Sequence, residues 1–304
     1  MQSFTSMSER VKALGRQRIV VAAAHDEDVL LSISQAARMG IAHPILVGNQ
    51  DLIMEICQRL DIDTAAFDII DERDDWEACR LAVRIIREGK AGALMKGLVG
   101  TALILKAILN KETGIRDRTL LSHIGLFFVG AINRFVILTD AAMTIAPDLE
   151  AKKHILQNAV EAARLLGVEN PHAACVCAVE TVNPAMQATL DAAELVRLNR
   201  EGLIRDCTVG GPLALDNALF AEAARHKGIT DPVAGRPDIL LMPNIEAGNV
   251  LYKALAFLCG SPGAGIVLGA RAPVILTSRN DNQESKLNSI LLALYLAASR
   301  EESL

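Results

Sequence analysis

The residues with the clearest capacity for chemistry lie near the C-terminus, in Thr277-Ser278-Arg279-Asn280-Asp281. An apolar run, Pro273 to Leu276, reads as a buried strand. From Asn282 onward, apolar residues at Leu287, Ile290, Leu291, Leu294 and Tyr295 follow one helical face. A hydroxyl, a guanidinium and a helix start then fall within a few residues of a strand end, which outlines an anion site. The ordinary alternative for an arginine is a solvated cation in a weak ion pair. Arg279, however, directly follows an apolar strand at the mouth of a sheet, so Ser278 and Arg279 are candidate functional residues.

Other segments offer polar groups at strand ends. MKGLVGT supplies Lys96, Gly97 and, at a helix start, Thr101, where glycines let backbone amides approach an anion. It lacks the GK[ST] element of a P-loop, and no GxGxxG follows the first strand. VGGPLALDN places Gly211 and Pro212 in a turn that a ligand can contact. MPNIEAGN supplies Asn244, Glu246, Gly248 and Asn249. Helix capping by Asn244 and a favourable helix-dipole position for Glu246 explain part of that loop. Asn249 is a mediocre helix former in a first turn, which points to a hydrogen bond toward a ligand.

The elements that must position these loops alternate along the chain. Arg18 to Ala24 reads as a strand and Asp26 as the cap of a helix reaching Met39. Strands Pro44–Gly48, Phe67–Asp71 and Ala93–Gly97 then alternate with helices Asp51–Leu60, Asp75–Arg87 and Thr101–Asn110. Apolar runs His123–Gly130 and Phe135–Asp140 are close enough for an antiparallel hairpin. Alternation resumes with helix Asp148–Leu166, strand Ala173–Val179, helix Pro184–Arg200, strand Cys207–Val209, helix Ala214–Lys227, strand Asp238–Met242, helix Glu246–Cys259 and strand Gly265–Leu268. Short apolar strands alternating with amphipathic helices define an α/β protein with mostly parallel sheets covered by helices. Ligands bind such sheets outside the carboxyl ends of the strands.

Composition narrows the function. The chain has 304 residues, enough for about two domains, and a net charge of −5 with 3% aromatic residues. That balance argues against a nucleic-acid surface. No apolar run reaches about 18 residues, so no membrane span is expected. The N-terminus carries no signal-peptide stretch, and the expected compartment is the cytoplasm. The six cysteines, among them Cys175 and Cys177, read as buried reduced thiols. Neither they nor the histidines have metal-ligand spacing, and no metal site is expected.

The stretches KAILNKETGIR, LTDAAMTIAPDLEAKKHILQNAVEAARLLG, ETVNPAMQATLDAAEL, GPLALDNA, PDILLMPNIEAGNVLYKAL and APVILTSRNDNQESKLNSILLA together resemble the phosphate acyltransferases. These are the phosphate acetyltransferases and, more closely, the phosphate butyryltransferases. The resemblance runs in order from about Lys106 to Ala293. It implies reversible transfer of an acyl group between coenzyme A and inorganic phosphate, with coenzyme A as co-substrate and no permanently bound cofactor or metal. It also implies a two-domain fold like that of isocitrate and isopropylmalate dehydrogenases, with residues 1–122 plus 277–304 in one domain and 123–276 in the other. The active-site cleft is then expected between them, in a homodimer or higher homo-oligomer.

The family's Ser-Arg pair falls on Ser278 and Arg279. The acetyl enzymes carry an aspartate seven residues after that serine, proposed to handle the thiol proton. Here that position is Ser285, which leaves Asp281 and Glu284 as nearby acids. Lys106 stands where the acetyl enzymes have a helix arginine, and both departures favour the butyryl branch. Two rival readings remain: an NAD-dependent decarboxylating dehydrogenase of the related fold, and a non-catalytic regulator that binds acyl-CoA or phosphate.

Overall fold

The strands form where the chain offers near-continuous apolar runs, as expected for parallel strands covered on both faces. In the computed structural model, which describes residues 3–276 and 281–302, the chain divides into two compact units. The first comprises Ser3–Leu121 with Ala264–Leu304, and the second Ser122–Gly263.

The first unit runs α1 (Phe4–Ala13), β1 (Gln17–Ala22), α2 (Glu27–Arg38), β2 (Ala42–Gly48), α3 (Gln50–Arg59), β3 (Asp68–Asp71), α4 (Asp75–Arg87), β4 (Ala93–Lys96) and α5 (Thr101–Ile108). The second contains β5 (Ser122–Val129), β6 (Arg134–Thr139), α6 (Leu149–Leu165), β7 (His172–Val176), α7 (Gln187–Arg200), β8 (Thr208–Leu213), α8 (Leu215–Leu219), α9 (Ala221–His226), β9 (Ile239–Leu241) and α10 (Ile245–Lys253). The chain then returns to the first unit through β10 (Gly263–Leu268), β11 (Val274–Ile275) and α11 (Gln283–Glu302).

In the first unit the strand order is β3-β2-β1-β4-β11-β10. β1 pairs in parallel with both β2 and β4, and β11 in parallel with β4. The order reverses between β1 and β4, so the crevice at their carboxyl ends is the topological switch point where such sheets take ligands. Val267 pairs with Val274 in an antiparallel contact. That pairing and the β11–β4 ladder place 264–276 with the chain ends, so the second crossover falls earlier than the expected 276/277 boundary. The last helix also differs from its expected single apolar face. Leu292, Ala293, Leu296 and Ala297 are buried along with Ile290, Leu291 and Leu294, because α11 packs against α1, α2 and the sheet at once.

In the second unit the order is β5-β6-β9-β7-β8, with β5 and β6 the expected antiparallel hairpin and the remaining pairs parallel. Phe127, Val136, Leu138, Ala174, Leu213 and Leu240 form a core that Leu251 and Tyr252 of α10 help cover. Fully burying side chains of this size contributes about 1.5–3 kcal/mol each. The helix expected over 214–227 is interrupted at Phe220, whose backbone is extended. The Gly235 N–H donates to the carbonyls of Asn217 and Ala218, ending α8 before α9 begins. The helix expected over 246–259 keeps regular α geometry only to Lys253 and closes in a wider π turn, Ala254–Leu258.

Candidate active site

The carboxyl end of β4 is held by backbone contacts. The Gly97 N–H donates to Ala22 O at 2.8 Å and the Leu98 N–H to Ala23 O at 2.8 Å. A Cβ on Gly97 would sit 2.1 Å from Ala23 O, so this residue is glycine because two strand ends meet there. The expectation that the Gly97 turn offers its amide to an anion is corrected by that bond to Ala22. The Lys96 ammonium donates to Gly97 O and Val99 O, both at 3.2 Å. Thr101 is exposed at the start of α5, whose cap residue Gly100 provides no side-chain bond.

On the same edge Asp26 caps α2, accepting from the Val29 N–H at 3.0 Å. The buried Lys286 of α11 donates to Asp28 Oδ2 of α2 at 2.8 Å. Asn282 accepts from the Ser285 N–H at 2.7 Å and so caps α11. Asp281 is half-buried just before that cap. Ser278 and Arg279 lie outside the described residues.

At the carboxyl edge of the second unit, Asn244 caps α10 by accepting from the Ala247 N–H at 3.0 Å, and Glu246 is exposed. A Cβ on Gly248 would meet Asp140 O at 2.4 Å, so α10 rests directly on the end of β6. The Asn249 Nδ2 donates to Ala141 O at 3.2 Å. That contact fastens α10 to the β6 loop. The Gly211 N–H donates to Asp231 Oδ2 at 3.0 Å, so the turn before buried Pro212 is braced by a carboxylate.

The group around Asp140 carries chemistry that sequence reasoning did not single out. Asp140 is 3% exposed. Its Oδ1 accepts from the Ala142 and Met143 N–H groups at 2.8 and 2.9 Å, while Oδ2 is enclosed with no partner. His123, half-buried at the start of β5, has an enclosed Nδ1 in the same condition. Burial holds the imidazole below its ordinary value, with the Asp140 charge pulling the other way. The Tyr252 ring meets it edge-on at 5.4 Å between centroids. The hairpin was the available signal, since His123 and Asp140 are the outer ends of its two strands.

On the opposite face, Lys152 of α6 and Asp191 of α7 form a buried ion pair at 2.5 Å, which Gln187 joins through Asp191 Oδ1 at 2.8 Å. Burial pushes the nearby Cys177 thiol up to about 11, a poor state for a nucleophile. Five of the six thiols are buried, and Cys259 departs from the expectation by being exposed. Among the described residues there is no His/Cys/Asp/Glu group able to hold a metal ion, and no helix is long and apolar enough to cross a membrane.

The chain belongs to the phosphate acetyl/butyryl transferase family, and with it to the acyltransferases, since the family model described as Phosphate acetyl/butaryl transferase matches residues 4–79 and 75–294. It is 45% identical over 300 residues to the phosphate butyryltransferase of Clostridium acetobutylicum, covering 99% of this chain and 100% of that protein. It is 40% identical over 281 residues to the phosphate acetyltransferase of Thermotoga maritima, covering 92% and 95%. A branched-chain phosphotransacylase from Enterococcus faecalis V583 superposes with a TM-score of 0.81 at 30% identity, over 92% of this chain and 99% of that one. The dehydrogenase-like fold is matched by a 4-hydroxythreonine-4-phosphate dehydrogenase from Burkholderia phymatum, with a TM-score of 0.55 at 14% identity over 93% and 98% of the two chains.

Proposed function

We propose that this chain reversibly transfers a short-chain acyl group, butyryl in preference to acetyl, between coenzyme A and inorganic phosphate. The reading is carried by the 45% identity to a phosphate butyryltransferase along essentially the whole of both chains. Coenzyme A is then a co-substrate, the partners are small molecules, and the enzyme works in the cytoplasm as a homo-oligomer. Phosphate attacking a thioester brings an anion to a carbonyl and builds negative charge on its oxygen. Arg279 holds the phosphate bidentately, which offsets the repulsion and fixes the approach. Ser278 hydrogen-bonds to the sulfur or the carbonyl. Lys96, Thr101 and Asp281 in the first unit, and Glu246 with the Gly211-Pro212, Asn244 and Gly248-Asn249 segments in the second, are the proposed substrate-binding positions.

Attack is direct, in a ternary complex. The raised Cys177 thiol, at a strand end, favours this over an acyl-enzyme. The test is thioester absorbance on mixing the protein and coenzyme A with acyl phosphates from acetyl to hexanoyl. Turnover peaking near butyryl is expected, and none across the series defeats the reading. Arg279→Ala should lower kcat/KM at least about a hundredfold, the scale of a lost charged transition-state contact. Near-wild-type turnover in that variant would remove Arg279 from the mechanism.

A further inference from the structure

The proposed reaction needs a group that takes the proton from the thiol of coenzyme A, and the position expected for it, Ser285, carries no acid. Ser285 sits inside the first turn of α11, its N–H given to the Asn282 cap and its carbonyl to the Ser289 hydroxyl. The second unit holds a pair of groups better suited to that work. One step beyond the Ile124–Thr139 pair of the β5–β6 ladder, the hairpin ends in His123 on one strand and Asp140 on the other.

The local structure holds both firmly. The Thr139 hydroxyl donates to His123 O at 2.8 Å, and the Met242 N–H donates to Thr139 O at 2.7 Å. Two backbone N–H groups fix the Asp140 carboxylate through Oδ1, and α10 rests on its carbonyl through Gly248. An enclosed carboxylate oxygen without a hydrogen-bond donor is destabilising, because its lost hydration is not replaced. Of the enclosed atoms left without a partner, Asp140 Oδ2 is the one carboxylate oxygen among the described residues, and His123 Nδ1 belongs to the residue at the facing end of the hairpin.

The charged groups around the ring are few. Among the described residues, Asp140 is the one whose field reaches it. α10 presents the Tyr252 phenol ring, and α6 presents neutral Asn158, which donates to the Ser122 hydroxyl at 2.8 Å. Oδ2 and Nδ1 are not hydrogen-bonded to each other, so the carboxylate acts on the ring through its charge. Nδ1 is the enclosed ring nitrogen, which leaves Nε2 for a ligand.

We infer that His123 is the proton-transfer residue of the acyl transfer and that the charge of Asp140 raises the proton affinity of its ring. The inference rests on the proposed function. In the thioester-forming direction the Nε2 lone pair takes the thiol proton while sulfur attacks the acyl carbonyl carbon. The carbon–sulfur bond forms, the bond from carbon to the phosphate oxygen breaks, and phosphate leaves with that electron pair. The proton on Nε2 then passes to phosphate or water. In the opposite direction the protonated ring gives its proton to the departing thiolate. A neutral ring near pH 7 serves the first direction, because its pKa lies below the ordinary 6.5.

The experiment is the pH profile of kcat, with coenzyme A and butyryl phosphate saturating, for wild type, His123→Gln and Asp140→Asn. Wild type should lose activity on the acid side, at a pH below the ordinary 6.5 of an imidazole, since burial lowers the pKa through which the base becomes protonated. His123→Gln should lower kcat at pH 7.5 about a hundredfold and abolish that acid limb. Asp140→Asn keeps Oδ1 for the two backbone donors but removes the charge that raises the ring's proton affinity, so its acid limb should move to lower pH. A structural role for either residue would scale the whole profile without moving the limb. His123→Gln with kcat within threefold of wild type and the same limb overturns the inference. If circular dichroism shows that His123→Gln does not fold, an acid limb unmoved by Asp140→Asn overturns it instead. Wild type inactive on every acyl phosphate from acetyl to hexanoyl removes the proposed function and the inference together. Active wild type with an unaffected His123→Gln removes the inference alone.

Discussion

The carboxyl edges of the two units are built from the same two devices and left in different states. Each places a glycine against the carbonyl just past the end of a strand: Gly97 over Ala23 in the first unit and, from α10, Gly248 over Asp140 in the second. Each joins the first turns of two neighbouring helices by a lysine and an aspartate, Lys286 with Asp28 and Lys152 with Asp191. In the first unit the backbone at the end of β4 is already bonded, with the Gly97 and Leu98 N–H groups given to Ala22 and Ala23. His25 there leaves one enclosed ring nitrogen without a partner, but among the described residues of that unit no carboxylate oxygen is in that state. In the second unit both an imidazole nitrogen and a carboxylate oxygen are left enclosed and unpartnered. The first edge is thus a scaffold that sets its side chains in place. The second stores an electrostatic conflict that a bound, reacting group can relieve.

Substitutions at matched positions can break this comparison. The largest stability effect belongs to the ion pairs. Side-chain exposure is 6% and 8% for Lys152 and Asp191, against 4% and 55% for Lys286 and Asp28. Asp191→Ala leaves an ammonium buried and should destabilise by about 3–5 kcal/mol. Asp28→Ala should cost well under half of that, because water reaches the ammonium from the exposed side of the pair. Urea unfolding of both variants checks the order, and equal losses would show that the two pairs are not energetically distinct.

The glycines come next. Gly97→Ala and Gly248→Ala force a methyl against a backbone carbonyl, each costing about 1–3 kcal/mol. Gly97→Ala should be the worse of the two in a thermal melt, since its clash is 2.1 Å against 2.4 Å. The smallest difference separates two polar contacts. Asp26→Ala removes a cap of the first edge and should lower stability by about 1 kcal/mol without changing the KM for coenzyme A. Asn249→Ala removes the tie from α10 to Ala141 at a similar cost of about 1 kcal/mol. Because that tie seats α10 beside Asp140, Asn249→Ala should also lower kcat, and unchanged kcat would show that the α10 seat does not matter to the proposed chemistry.

Most of the architecture was legible in the sequence because it is written in local patterns. Runs such as RIVVAAA and ALMKG can only be buried strands, and Asp26 and Asn244 stand where helix caps must stand. Where the reading missed, a contact distant in sequence intervened. Gly235 ends α8 early by taking its last carbonyls, and α11 is buried nearly all round because α1 and α2 close over a face that its own periodicity leaves open. The candidate site was legible in location, at the strand ends, but less so in role. Gly97 read as offering its amide to an anion, and the structure gives that N–H to Ala22.

The sequence by itself determined the α/β class, the alternation of elements, the loops that hold the polar residues and, through matching motifs, the family. The class, the alternation and the loops follow from propensity, periodicity and spacing, which are properties of neighbouring residues, and the family from stretches that resemble it. Only the tertiary structure decided which polar groups are already satisfied and which are not. Lys152 meets Asp191 across 39 residues and Lys286 meets Asp28 across 258. His123 stands at the end of the hairpin that also ends in Asp140. Hydrogen-bond satisfaction depends on which chains come together and how much water is excluded when they do, and no local pattern encodes that.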